Sequence, residues 1–266
     1  MATVERAGRQ RAWAVVAGQD LRDLWLGGRG LLLSLAFSGL LSVLSYLVAT
    51  NQALNFLEQR ESVNLTLQVA IAVGAMLALL AGADAISGER ERGSLESLLL
   101  TPVSRLQLTG GKLLAALSLW IAAFVVTIPY IWFLGRGVGI VGVALAVGAL
   151  VGTLLAVFLV SFGVLVSVFA GSNRISLSVS LFVLLALFAP TQFPTSAQQG
   201  WAGDLFLRAN PLTAGEHYVG KIVVDGHPWS QDASWLVSPV VAAALLAVLA
   251  AVAGARFMRL SGDVSR

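Results

Sequence analysis

The sequence predicts an all-α polytopic membrane protein with six transmembrane helices, an N-terminal interfacial helix and short extracytoplasmic helices between spans five and six. Three observations carry that prediction. First, of 266 residues 57% are hydrophobic and only 12% are charged, with a mean hydropathy of +0.84, whereas soluble domains carry about a quarter charged residues. Second, uncharged runs occupy Gly30–Leu57, Ser62–Ala83, Leu113–Gly135, Gly137–Asn173, Ile175–Gly203 and Ala233–Ala255, and about 20 residues of helix cross a bilayer. Third, Lys and Arg are unevenly divided between the two sides, with 13 on the side of the termini and 4 on the other, making up the 17 present. Basic residues gather on the cytoplasmic side, so both termini of this multi-pass protein are expected there.

In chain order, one membrane domain fills 1–266. Residues 11–28 place Trp13, Leu21, Leu24 and Trp25 at helical spacing with Arg22 largely on the other side, the pattern of a helix lying in the interface. Spans are expected at about 31–50, 65–86, 112–134, 139–170, 174–190 and 235–257, joined on the inner side by a loop at 87–107. The fourth uncharged run holds 37 residues, too many for one crossing and too few for two with a turn, so a long overhanging helix is expected. Gly171, Ser172, Asn173 and Arg174 form the next inner turn. The outer segment 191–234 mixes Trp201, Leu205, Phe206, Val219, Ile222 and Trp229 with Asp204, Arg208, Glu216, Lys221 and Asp225, which suits short amphipathic helices at or dipping into the outer leaflet. No short apolar stretch with a small-residue cleavage site opens the chain.

The chemistry is narrowed by what is missing. The chain has no cysteine and two histidines, His217 and His227, both in the outer segment. Thiol chemistry and disulfides are excluded, and neither a metal site nor an intramembrane hydrolase is expected. The middles of the spans carry no ionisable residue, the feature on which ion-coupled carriers and proton relays depend. Gly111 and Lys112 resemble part of a phosphate-binding loop, but Leu113 stands where Ser or Thr is needed and Leu106 where the first Gly should be. No nucleotide or metal cofactor is therefore expected on this chain, and any ATP must be hydrolysed by a partner. The basic residues are spread over four inner segments, which argues against nucleic acid as a partner.

The densest charge lies in 84–112. Ser94 is placed to cap a short helix with Leu95, Leu98 and Leu99 on one side, ended by Thr101 and Pro102, and Ser104 with Gln107 fits a capping box opening the helix into span three. An apolar side beside Glu96, preceded by Glu89, Arg90, Glu91 and Arg92, suits docking into an apolar groove with charges at its rim. A solvated loop with snorkelling charges is the alternative.

The string GERERGSLESLLLTPVSRLQLTGGK resembles the loop between spans two and three in permease subunits of type-2 ABC exporters, and the six-span outline with an interfacial helix and outer re-entrant helices resembles the same family. The resemblance implies a dimer of permeases, here expected to be a homodimer, docked on a cytoplasmic dimer of ATPase subunits that bind ATP and Mg. It implies that Glu89, Arg90, Glu91, Arg92, Gly93, Leu95, Glu96, Leu98 and Leu99 form the docking contact. It also implies a translocation path at the dimer interface, for which Ser38, Ser42, Ser45, Gln68, Ser176 and Ser180 are candidates. A second expectation is a mechanical adaptor that drives an extracytoplasmic partner, such as a metalloenzyme maturation factor, without moving cargo through itself. A third is an uncoupled channel or lipid-interacting scaffold.

Overall fold

The computed structural model describes residues 15–50, 56–95, 103–192 and 201–257, and every regular element among them is helical. A helix over 15–26 (α1) turns at Gly28, whose φ of 82° suits a residue without Cβ, into α2 (Arg29–Ala49). Then follow α3 (Phe56–Asp84), the one-turn α4 (Ser87–Glu91), α5 (Arg105–Gly135), α6 (Val141–Phe169), α7 (Asn173–Phe188), α8 (Trp201–Ala209), α9 (Pro211–Val223) and α10 (Val237–Phe257).

Among the described residues, five helical segments are long and apolar enough to cross a membrane: Arg29–Ala49, Gln59–Glu91, Arg105–Gly135, Val141–Phe169 and Ala233–Phe257. The segment expected as span five is the 16-residue α7, continued by a 3-10 turn at Ala189–Gln192. At about 1.5 Å per residue it covers about 24 Å, less than the roughly 30 Å hydrocarbon core. Pro190 falls in that turn.

Small residues set the centre of the bundle. A Cβ on Gly163 of α6 would stand 2.6 Å from the Leu79 carbonyl oxygen and 2.8 Å from the Ala83 nitrogen of α3, and one on Gly82 would stand 2.8 Å from the Val160 oxygen. The two backbones therefore touch, as they do where small residues line membrane-helix interfaces. Val63, Leu67, Ile71, Leu79, Val151, Leu155, Leu159 and Val164 fill the rest of that seam. Helix α6 runs 29 residues, about 44 Å long, because its run carries no charge to stop it. Pro129 lies inside the continuous α5.

The outer segment folds back into the bundle. Asn210 caps α9 by accepting from the Leu212 amide at 2.9 Å, Pro211 takes the first turn, and the Asn210 side-chain amide donates to the Leu187 carbonyl at 2.7 Å. Gly215 lies against Val151 and Leu155, ten or more residues into α6, while Arg60 donates to the Val224 carbonyl at 3.4 Å near the start of α3. Helix α9 thus enters the bundle at depth and leaves at its rim, with Leu212, Tyr218, Val219, Ile222 and Val223 buried.

Candidate functional site

Asp84, Glu89 and Arg92, from between spans two and three, enter two ion clusters at the α4 end of the bundle. Helix α4 has only five residues, too short to be stable alone, and other elements hold it. Its leading amides, those of Ile86 and Ser87, donate to the Ser167 hydroxyl of α6 at 3.1 and 2.8 Å, satisfying donors that a helix start leaves open. The Ser87 hydroxyl donates to the Ala83 carbonyl at 2.8 Å. Arg90 donates to the carbonyls of Ala170 and Val168 at the end of α6, where a cation complements the helix dipole. Glu91 accepts from the Asn173 amide at 2.8 Å at the start of α7. Helix α4 is thereby bolted across the α6–α7 turn.

The first cluster centres on Lys112, three per cent exposed although it is an ammonium. It pairs with Glu89 of α4 and, at 3.5 Å, with Asp20 of α1. A buried charge persists only when paired and hydrogen-bonded, so α1, α4 and α5 are obliged to meet here. Trp25 adds a second tie between α1 and α5 by donating to the Ser118 hydroxyl at 3.1 Å. The second cluster centres on Asp84, which accepts from Asn173 at 2.7 Å and pairs with Arg29 at 3.3 Å and Arg92 at 3.6 Å. Between the clusters lies a cavity of about 510 Å³, polar at the ion pairs and apolar along Leu24, Leu33, Leu77, Leu80, Leu119 and Leu177.

The expected docking residues divide. Glu91, Arg92 and Gly93 are exposed. Glu89 and Arg90 instead turn toward Lys112 and the α6 carbonyls, and Leu95 is buried; these three face the protein's interior because a buried lysine, open carbonyls and the apolar core claim them. Glu96, Leu98, Leu99 and Trp13 lie outside the described residues. Ser104 caps α5 with both bonds of the capping box formed at 3.2 and 3.3 Å. In α1, Leu21, Leu24 and Trp25 are half-buried and Arg22 is exposed.

The weakly polar residues proposed for a path do not converge within one chain. Ser38 and Ser42 share the Tyr130 hydroxyl at 2.9 and 2.8 Å on the α2–α5 surface. Ser45 and Ser180 are buried without hydrogen-bond partners. Ser176 donates to the Ala83 carbonyl at 2.7 Å, tying α7 to α3. Gln68 reaches the Glu216 carbonyl at 3.4 Å and lines a separate cavity of about 360 Å³ at the α9 end, with Thr213, Glu216, His217, Lys221 and Asp225. There burial pushes the Glu216 carboxyl up to about 7, and burial, then the nearby Lys221, lowers the His217 imidazole below its usual value. His217 stacks on Trp235 at 4.0 Å, and His227 pairs with Asp232 at 2.7 Å. No group of three or more His, Cys, Asp or Glu able to hold a metal occurs among the described residues.

The residues that sequence reasoning passed over are Asp20, Asp84, Lys112, Ser167 and Asn173. Their signal was position: Lys112 and Asp84 border long uncharged runs, and a charge at the edge of a span needs a partner.

The described residues thus form a helical, multi-pass membrane protein with a braced set of ion pairs at the α4 end of the bundle. The chain belongs to the ABC-2 family: the model described as ABC-2 family transporter protein matches residues 16–261, nearly its whole length. It is a membrane permease of an ABC transporter, a class that works with an ATPase partner and is not itself the ATPase. No curated protein matches the chain.

Proposed function

We propose that the chain is the membrane-spanning permease of an ATP-driven exporter, with its α4 end in the cytoplasm and docked on a separate ATPase that binds ATP and Mg, acting as a homodimer with its path at the dimer interface. The observation that carries this reading is the Asp20–Lys112–Glu89 cluster. A push on the exposed edge of α4 at Glu91 and Arg92 acts on a helix held by side-chain bonds on several sides. It is passed through Ser167, Arg90 and Glu91 into the α6–α7 turn and through Lys112 into α5 and α1. Contiguous packed and hydrogen-bonded contacts of this kind carry a local displacement into helix motion. The bias of 13 basic residues to 4 supports the cytoplasmic placement of this end and of both termini, in a prokaryotic inner membrane.

The test is reconstitution of the chain with its ATPase in proteoliposomes. Cargo-stimulated hydrolysis supports export. The second reading, a mechanical adaptor acting on an extracytoplasmic partner, is favoured by the inserted α9 and its cavity, and would show as stimulation by an outer protein alone. Absence of both association and any effect on hydrolysis would remove the ATP-coupled reading.

A further inference from the structure

Among the described residues, the two ion clusters that flank the 510 Å³ cavity are each unbalanced, and in opposite senses. At the mouth, Arg29 and Arg92 share the single carboxylate of Asp84, leaving one positive charge in excess, and both arginine side chains are more than half exposed, at 65% and 55%. In the recess, Asp20 and Glu89 share the single ammonium of Lys112, leaving one negative charge in excess, and all three side chains are at most 20% exposed. Glu89 also keeps its Oε2 buried without a hydrogen-bond donor, an arrangement that costs free energy until a donor arrives. Asp23 adds a carboxylate along the α1 wall, and Leu33 of α2, Leu77 of α3 and Leu177 of α7 line the apolar part.

We infer that this cavity binds an aminophospholipid of the leaflet at the α4 end, its phosphate at Arg29 and Arg92, its primary ammonium toward Asp20 and Glu89, and its acyl chains along Leu33, Leu77 and Leu177. A zwitterion with the anionic group outermost meets each excess with a charge of opposite sign, which neither an anion nor a simple cation does. Guanidinium forks are suited to phosphate, and the ammonium brings the N–H donor that Glu89 Oε2 lacks. A choline head group has the same net charge but no N–H to donate, so the site separates the two zwitterions by hydrogen bonding. The lipid would brace α1 and α2 against α3 and α7 at the place where α4 joins them. The inference depends on the proposed orientation only in saying that the leaflet is the cytoplasmic one.

The test is native mass spectrometry of the full chain released from micelles holding equal amounts of phosphatidylethanolamine, phosphatidylcholine and phosphatidylglycerol with the same acyl chains. One charge-assisted hydrogen bond more or less corresponds to roughly tenfold in occupancy, so phosphatidylethanolamine is expected on the protein at about that excess over both others. Ala81→Leu, which fills the cavity without touching a charge, is expected to abolish the preference, and Leu177→Phe serves the same purpose should the first variant misfold. Equal retention of the ethanolamine and choline lipids would overturn the proposal, as would strongest retention of the anionic lipid or a preference that survives both filling variants. Because retention is read without an ATPase, a negative result here leaves the proposed ABC coupling intact, and a failure of ATPase docking leaves the lipid site intact.

Discussion

Replacing Lys112 by methionine keeps the length and apolar bulk of the side chain and removes only the charge. The structure sets the magnitude. Lys112 is 3% exposed and its two carboxylate partners 13% and 20%, so the substitution leaves two recessed like charges without the ammonium that pairs with both. Breaking a buried pair in this way costs about 3–5 kcal/mol. The exposed pair Lys221–Asp225, one helical turn apart at 2.9 Å with side chains 33% and 43% exposed, supplies the internal control, since such pairs contribute about 0.3–0.5 kcal/mol. The assay is SDS-titrated unfolding in mixed micelles followed by tryptophan fluorescence, for which the chain has seven reporters. Lys112→Met is expected to lower stability by about 3–5 kcal/mol and Lys221→Met by less than about 1. Adding Glu89→Gln to Lys112→Met should recover part of the loss, because residues in contact couple by about 0.5–3 kcal/mol. A loss below about 1 kcal/mol for Lys112→Met, or strict additivity with Glu89→Gln, would refute the view that these charges hold α1, α4 and α5 together.

Ser167→Ala should orphan the Ile86 and Ser87 amides, costing about 1–3 kcal/mol for each donor and exposing them to faster hydrogen exchange. Gly163→Ala should destabilise the α3–α6 contact, because its Cβ would meet backbone atoms. Gly39→Ala, with nothing within 4 Å, should be neutral or add up to about 1 kcal/mol of helix propensity; similar thermal shifts for the two would contradict the close approach. For Glu216, burial pushes the carboxyl from its ordinary 4.5 up to about 7. The folded state then binds the proton more tightly, so this group's contribution to stability is full below about 4.5 and is lost as pH rises through about 7. Glu216→Gln should flatten that part of the stability profile, and an unchanged slope would show that Glu216 does not cause it.

How much of this was legible in the sequence depends on whether the signal was local. The uncharged runs, the Ser104–Gln107 capping box and the turn at Ser172 follow from neighbours in the chain, and α5, α6 and α7 begin and end accordingly. Helix α4 was not legible. Its five residues carry no apolar periodicity, and the groups that hold it, Ser167, Ala170 and Asn173, lie about 80 residues away. For the same reason Glu89 and Arg90 read as docking charges while the fold turns them inward. Lys112 read as the opening of a span, which it is, but its partner Asp20 is 92 residues away, and no spacing rule joins them. The outer helices were expected at or dipping into a leaflet; the depth of α9 comes from Gly215 packing on Val151 and Leu155, a contact that composition does not encode.

The absence of cysteine makes the central claim, that force enters through α4 from a separate ATPase, open to direct measurement. Single cysteines would be placed at Arg92, exposed beside α4, and at Gln231, exposed in the turn before α10, and each variant joined to the reconstituted ATPase with a short thiol-to-amine cross-linker. Cross-linking of the ATPase through Arg92→Cys and none through Gln231→Cys is the expected result. Cross-linking through Gln231→Cys alone, or through neither while hydrolysis still responds to the chain, would contradict it.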